Sequence, residues 1–124
     1  MIKFINSYFQ NDDNRGNIYG IINQLNWQEI NIISSRKGSV RGGHYHKKTI
    51  ELFFIIEGEI EIKAEEINED GDIGHQKEYI VKANDIFIIE PYIIHEFKAI
   101  ENCKWINALS IKHDNENPDF YKIK

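Results

Sequence analysis

Cysteine is almost absent: Cys103 is the only one in 124 residues, so no disulfide can close within the chain and nothing points to an oxidising compartment. Long apolar runs are missing as well. The longest, Leu52 to Ile56, is far too short to span a bilayer, and Met1 to Ser7 lacks the apolar core of a signal peptide. The cytoplasm is therefore the expected location. Basic excess is also lacking, because 15 Lys and Arg stand against 20 Asp and Glu for a net charge of −5. Nucleic acids and anionic membranes attract clustered cations, so neither is an expected partner. Finally, no helical periodicity occurs before residue 116.

What remains is an ordinary globular balance, with 41% hydrophobic and 28% charged residues. No linker, repeat or low-complexity segment divides the chain, and its length suits one domain over 1–124. Short Ile-rich segments alternate with turn residues. Strands are expected within residues 2–9, 18–22, 29–35, 40–46, 51–57, 59–66, 77–83, 85–90, 95–100 and 104–111, with Asn11 to Gly16 as a turn. Ile60, Ile62 and Ala64 alternate with charged residues, which predicts one wet face. Phe53 to Ile56 leave no wet face, so 51–57 reads as a central strand forming a hairpin with 59–66 through Gly58. The tail from Lys112 offers at most a short helix after Pro118. The pattern alone argues an all-β sandwich or barrel.

The informative stretch is Gly38-Ser-Val-Arg41-Gly-Gly-His44-Tyr-His46-Lys-Lys-Thr-Ile-Glu51, continuing to Gly58. On a strand, His44 and His46 share a face with Cα atoms roughly 6.6 Å apart, close enough for both rings to converge on one ion. Glu51 opens the next apolar run, and His95 follows much later in Asn84-Asp-Ile-Phe-Ile-Ile-Glu-Pro91-Tyr92-Ile-Ile-His95.

The spacing of Gly38, His44, His46, Glu51 and Gly58 resembles the first motif of the cupin superfamily at every defined position. Residues 84–95 resemble the second motif less fully: Asn84 and Tyr92 replace glycines, Pro91 is one place late, and Asp85 and His95 fit. The likeness covers 38–95 and leaves 112–124 as a C-terminal tail. It implies an all-β cupin jelly-roll barrel. Asp13-Asn-Arg15-Gly16, with Arg41-Gly-Gly-His44-Tyr-His46-Lys47, is further similar to the sugar-nucleotide branch of 3,4-ketoisomerases and dTDP-4-dehydrorhamnose 3,5-epimerases.

That resemblance implies an isomerase acting on a nucleotide-linked 4-keto-6-deoxy sugar. His44 and His46 would be the catalytic acid–base pair, since an imidazole can remove the acidic proton beside a ketone. Arg41 would bind the diphosphate through its guanidinium fork, and Tyr92 would touch substrate. Glu51 departs from the glutamine usual in ketoisomerases, which keeps a second reading open: His44, His46, Glu51 and His95 holding a divalent transition metal such as Mn, Fe, Ni, Zn or Cu, in an oxygenase or isomerase. A non-catalytic small-molecule binder is the third. No organic cofactor is expected. Cupins commonly dimerise through N-terminal strands, so a homodimer is expected with Ile2 to Phe9 as the exchanged edge. Tyr45 alternates away from the histidines and reads as packing; Cys103, Trp27 and Trp105 read as core, and His75 and His113 as exposed.

Overall fold

The computed structural model describes residues 1–123. Twelve strands form, and no helix occurs among the described residues: β1 (Lys3–Ile5), β2 (Phe9–Asp13), β3 (Gly16–Gly20), β4 (Glu29–Ser35), β5 (Val40–Tyr45), β6 (Glu51–Glu57), β7 (Glu59–Ile67), β8 (Ile73–Lys82), β9 (Ile86–Ile89), β10 (Ile93–Ala99), β11 (Cys103–Leu109) and β12 (Tyr121–Lys122). Accordingly no helix there is long and apolar enough to cross a membrane.

Two five-stranded antiparallel sheets carry the fold, in the orders β1-β9-β6-β11-β4 and β12-β5-β10-β7-β8. Most sheet neighbours are not sequence neighbours, because the chain passes repeatedly from one sheet to the other. That is the jelly-roll arrangement the motifs implied. Phe53 and Ile55 of β6, Ile60 and Ile62 of β7, and Phe87, Phe97 and Trp105 form the core between the sheets.

β6 is central, between β9 and β11, as its apolar run implied. Its alternate residues explain the missing wet face. Leu52 and Phe54 join a second apolar cluster with Ile86, Ile88 and Ala108, covered by Tyr19, Ile21, Ile22 and Trp27. The chain between β3 and β4 thus shields the side of the first sheet that solvent would otherwise wet.

The expected hairpin of 51–57 with 59–66 does not form. β6 pairs with β9 and β11 in one sheet, whereas β7 pairs with β8 and β10 in the other. Gly58, at φ +89°, turns the chain across the barrel, and a Cβ there would lie 2.5 Å from the Asn102 carbonyl oxygen. Alternation shows that a strand has two faces; it cannot show which strand lies beside it.

Other differences are local. Asn11 to Gly16 is not only a turn, since β2 and β3 pair across it from Phe9↔Gly20 to Asp13↔Gly16. β8 begins at Ile73 rather than residue 77, pairing with β7 across a bulge. The tail forms β12 against β5 instead of a helix after Pro118. β1 is shorter than 2–9 and pairs with β9 of its own chain.

Candidate functional site

Four strands and the tail bring the site residues together. His44 lies on β5 and His95 on β10, as directly opposed partners in the second sheet. The register then slips: Glu96 faces Gly42, so β5 carries an extra residue at Gly42–Gly43, both with positive φ (+99° and +77°). A bulge of this kind re-aims the side chains beyond it, here the two histidines. Gly42 is required sterically as well, because a Cβ there would sit 2.5 Å from the His95 carbonyl oxygen. Glu51 reaches in from β6 of the opposite sheet, completing the group across the barrel interior.

The ring centroids of His44 and His95 are 4.6 Å apart, those of His44 and His46 5.1 Å, and those of His46 and His95 5.8 Å. One ligand atom from each of His44, His46, Glu51 and His95 can be chosen so that all lie within 4.8 Å of one another. The four-residue group expected from the motifs is therefore one constellation.

Glu51 is only 6% exposed, so its carboxylate needs internal partners. Oε1 accepts from His46 Nε2 at 2.7 Å and lies 3.0 Å from His95 Nε2. Oε2 accepts from Asn107 Nδ2 at 3.0 Å. Burial opposes the charge, yet the two histidines outweigh it and hold the Glu51 carboxyl well below the usual carboxylate range.

His46 has an acceptor at each nitrogen. Nδ1 lies 2.5 Å from the Asp119 carbonyl oxygen and Nε2 faces Glu51. Neither acceptor can donate, so the ring satisfies both only as imidazolium. Burial works against that charge, but Glu51 and the Asp119 carbonyl hold the His46 pKa above its ordinary value. His95 Nδ1 likewise meets the Ile93 carbonyl at 3.0 Å.

His44 is different. It has no hydrogen bond among the described residues, and its ring stacks on Phe120 at 4.4 Å and 28°. Burial first, then the neighbouring His95, pushes its pKa down to about 4, so it is neutral at pH 7. The site thus holds an uncharged imidazole, His44, beside a carboxylate, Glu51, that faces His46 and His95.

These groups line a cavity of about 370 Å³ whose walls include the apolar Ile33, Phe53, Phe97 and Trp105 and the polar Glu29, Asn107 and His113. Arg41 lines the same cavity. Its Nε donates to Ser35 Oγ at 2.7 Å and its Nη2 to the Ser34 carbonyl at 3.0 Å, so it bridges β5 of one sheet to the edge strand β4 of the other. Tyr92 is not among the lining residues; its ring lies 6.2 Å from that of Tyr45, which stacks in turn on Tyr121. Tyr45 packs as alternation implied. Cys103 and Trp105 are buried core residues, and His75 and His113 are exposed.

Three residues were not found from the motifs. Asn107 carried a usable signal, a polar residue in phase with Trp105 and Leu109 on an apolar strand. Asp119 and Phe120 carried none, because a short polar tail has no period to read.

A family model described as the polysaccharide biosynthesis C-terminal domain matches residues 11–121. The dTDP-4-dehydrorhamnose 3,5-epimerase of Sulfolobus tokodaii has a similar structure: TM-score 0.75, 21% identity, 93% of this chain and 78% of that one covered. A 3,4-ketoisomerase from Helicobacter canadensis gives 0.76 and 20% identity over 98% and 90%. The capsular polysaccharide assembling protein CapF of Staphylococcus aureus gives 0.68 and 21% over 94% of this chain but only 32% of its own length. At these identities the likeness is one of fold, a cupin jelly roll. No curated protein sequence matches the chain.

Proposed function

The chain belongs to the polysaccharide biosynthesis C-terminal domain family, and from that premise we propose that it isomerises or epimerises a nucleotide-linked 4-keto-6-deoxy sugar by histidine acid–base chemistry. The observation that carries the reading is the contrast between His44, neutral and with no hydrogen-bond partner among the described residues, and His46, fixed by an acceptor at each nitrogen with its pKa raised. The similar folds of a dTDP-4-dehydrorhamnose 3,5-epimerase and of a 3,4-ketoisomerase support it.

In this reading the sugar enters with its C–H beside the ketone toward His44. The unprotonated ring takes that proton, and the electron pair moves into the C–C bond, leaving an enediolate. Negative charge then develops on the keto oxygen, where the His46 imidazolium is available to offset it. His44 becomes a strong acid once protonated, because its basicity is depressed, and it returns the proton to carbon. Return to the former keto carbon, with the proton of the adjacent hydroxyl passing to the former keto oxygen, gives ketoisomerisation; return to the opposite face of the original carbon requires a second donor. The apolar part of the wall, Ile33, Phe53, Phe97 and Trp105, suits a deoxy methyl group. Arg41 would meet the diphosphate at the β4–β5 edge by exchanging its serine contacts for phosphate oxygens. Tyr92 would need a substrate that reaches beyond the cavity to the face it shares with Tyr45.

A second reading has its own observation. The four-residue cluster fits a divalent transition metal, since the Nδ1 atoms of His46 and His95 already face backbone carbonyls, the usual arrangement behind metal-bound histidines. His44, His46, Glu51 and His95 would hold the ion, which would act as a Lewis acid on the keto oxygen. Asn107 would keep Glu51 oriented in either case.

We further propose a cytoplasmic homodimer. The single, buried Cys103 suits a reducing compartment, and Ile30 and Ile32 are each 68% exposed on edge strand β4. Sedimentation of the wild type beside Ile32→Lys tests the dimer.

The deciding experiment is incubation with a dTDP-linked 4-keto-6-deoxyhexose in deuterated water, with elemental analysis of the same preparation. Deuterium entering the sugar ring in metal-free protein, and not in His44→Gln, is expected. No exchange into any such sugar would remove the proposal. Exchange only with near-stoichiometric metal, lost in Glu51→Gln and His46→Ala, would select the second reading.

A further inference from the structure

The last described residues contribute more to the site than their place in a polar tail implies. Asp119 uses both ends of its structure on the segment that carries His46. Its Oδ1 accepts from the Lys47 amide at 2.9 Å; its Oδ2 accepts from the Lys48 amide at 2.8 Å, the Thr49 amide at 2.8 Å and Thr49 Oγ1 at 2.9 Å. Four donors converge on one carboxylate, across a sequence separation of 70 to 72 residues. The main-chain carbonyl of the same residue meets His46 Nδ1. Next along the chain, Phe120 stacks on His44, and β12 pairs Tyr121 with Tyr45 and Lys122 with His44. The Lys47–Thr49 segment and Asp119 therefore hold each other in a fixed relation, and the carbonyl is presented to the ring as a consequence.

We propose that Asp119 is the positioning residue of the site: by tying residues 47–49 to the tail it aims its own carbonyl at His46 Nδ1, which leaves Nε2 as the atom turned toward Glu51 and the cavity. The inference rests on His46 being a working group of the site, in either the acid–base or the metal reading. An imidazole free to rotate about its terminal torsion has two nearly equivalent orientations. Only the orientation with Nδ1–H donated to Asp119 puts Nε2 where both readings need it. Residues behind a functional histidine that fix its tautomer and rotation typically change activity by about 10–100-fold when removed.

The test compares full-length wild type with Asp119→Ala and Asp119→Asn by two readouts. The first is the nitrogen-bound proton of His46 Nδ1 in the ring-labelled protein, seen by NMR as a resonance protected from exchange with water. In the wild type it is expected to be present; in Asp119→Ala it is expected to broaden into water exchange while the β-sheet spectrum stays intact. Asparagine can accept at only one of the two carboxylate positions, so it is expected to rescue the resonance in part. The second readout is turnover of the sugar nucleotide, where kcat falls about 10–100-fold with KM little changed.

A resonance that persists unchanged in Asp119→Ala overturns the proposal, whatever happens to turnover, because Asp119 would then be an anchor only. Should Asp119→Ala not fold, Thr49→Val carries the same test: it removes one of the four donors, and faster exchange of the His46 proton is expected, with an unchanged rate overturning the idea. The resonance needs no substrate. It therefore decides the proposal even if the wild type turns over no sugar nucleotide, an outcome that would remove only the functional reading.

Discussion

Asn107 and Glu51 meet inside the barrel, Nδ2 donating to Oε2 at 3.0 Å from the neighbouring strand β11. The contact closes the remaining side of a carboxylate whose other oxygen faces two histidines. Asn107→Ala strands that oxygen at a 6%-exposed position and is expected to cost about 1–3 kcal/mol of stability. A double-mutant cycle with Glu51→Gln, read by urea unfolding, should show the two changes to be strongly non-additive. Additive costs would mean that the pair does not cooperate.

Glu51 also sets the charge of His46. With the carboxylate replaced in Glu51→Gln, burial is left as the dominant influence, so the His46 pKa should drop from above its ordinary value to below it. An imidazole titration followed by NMR in metal-free protein checks the direction. A His46 pKa that does not fall would show that the Asp119 carbonyl alone sustains the charge.

Acid should weaken the fold through His44. Its pKa is about 4 in the folded chain against 6.5 ordinarily, so between these values the unfolded state binds more protons and stability rises with pH. Stability is thus lost as pH falls from 6.5 toward 4. The depressed Glu51 carboxyl adds its own loss only below its ordinary value of 4.5. The raised His46 acts oppositely, its contribution being full below 6.5 and lost as pH climbs through its folded value. Urea midpoints from pH 4.5 to 6.5 should therefore slope less steeply in His44→Gln than in wild type. Equal slopes would place the acid sensitivity elsewhere.

Gly42 makes the sharpest steric prediction. Alanine there meets the His95 carbonyl at 2.5 Å and must hold φ +99°, so Gly42→Ala should cost about 2–4 kcal/mol. Gly43→Ala has open space around its Cβ and bears only the backbone strain of φ +77°, so it should cost clearly less. Thermal unfolding of the two variants side by side would reveal a failure as equal losses.

The parts of the molecule that were legible in the sequence are those where one residue's chemistry or period is enough. His44, His46, Glu51 and His95 announced themselves by type and spacing, and the strands by alternation. Pairing was not legible: the 51–57 and 59–66 segments look like a hairpin, yet they belong to different sheets because Gly58 turns a corner instead of reversing the chain. The residues behind the site were hidden for a related reason. Asp119 serves through a main-chain oxygen and a turn 70 residues away, and no side-chain pattern records such a relation. The bulge at Gly42–Gly43 lay within the motif itself, but its effect on the aim of the histidines required the register of β10.

The order of strands in the two sheets has a consequence for how the protein is made. β5 lies between β10 and β12, and β6 between β9 and β11, so each waits for partners that the ribosome has not yet synthesised. A nascent chain ending near residue 80 holds His44, His46 and Glu51 but lacks His95 and the strands β9 to β12 that bring the group together. Assembly of the barrel must therefore wait for β9 to β12, a slow event typical of chains dominated by distant pairings. Until Asp119 to Lys122 emerge, the motif that is plainest in the sequence has no complete site to belong to.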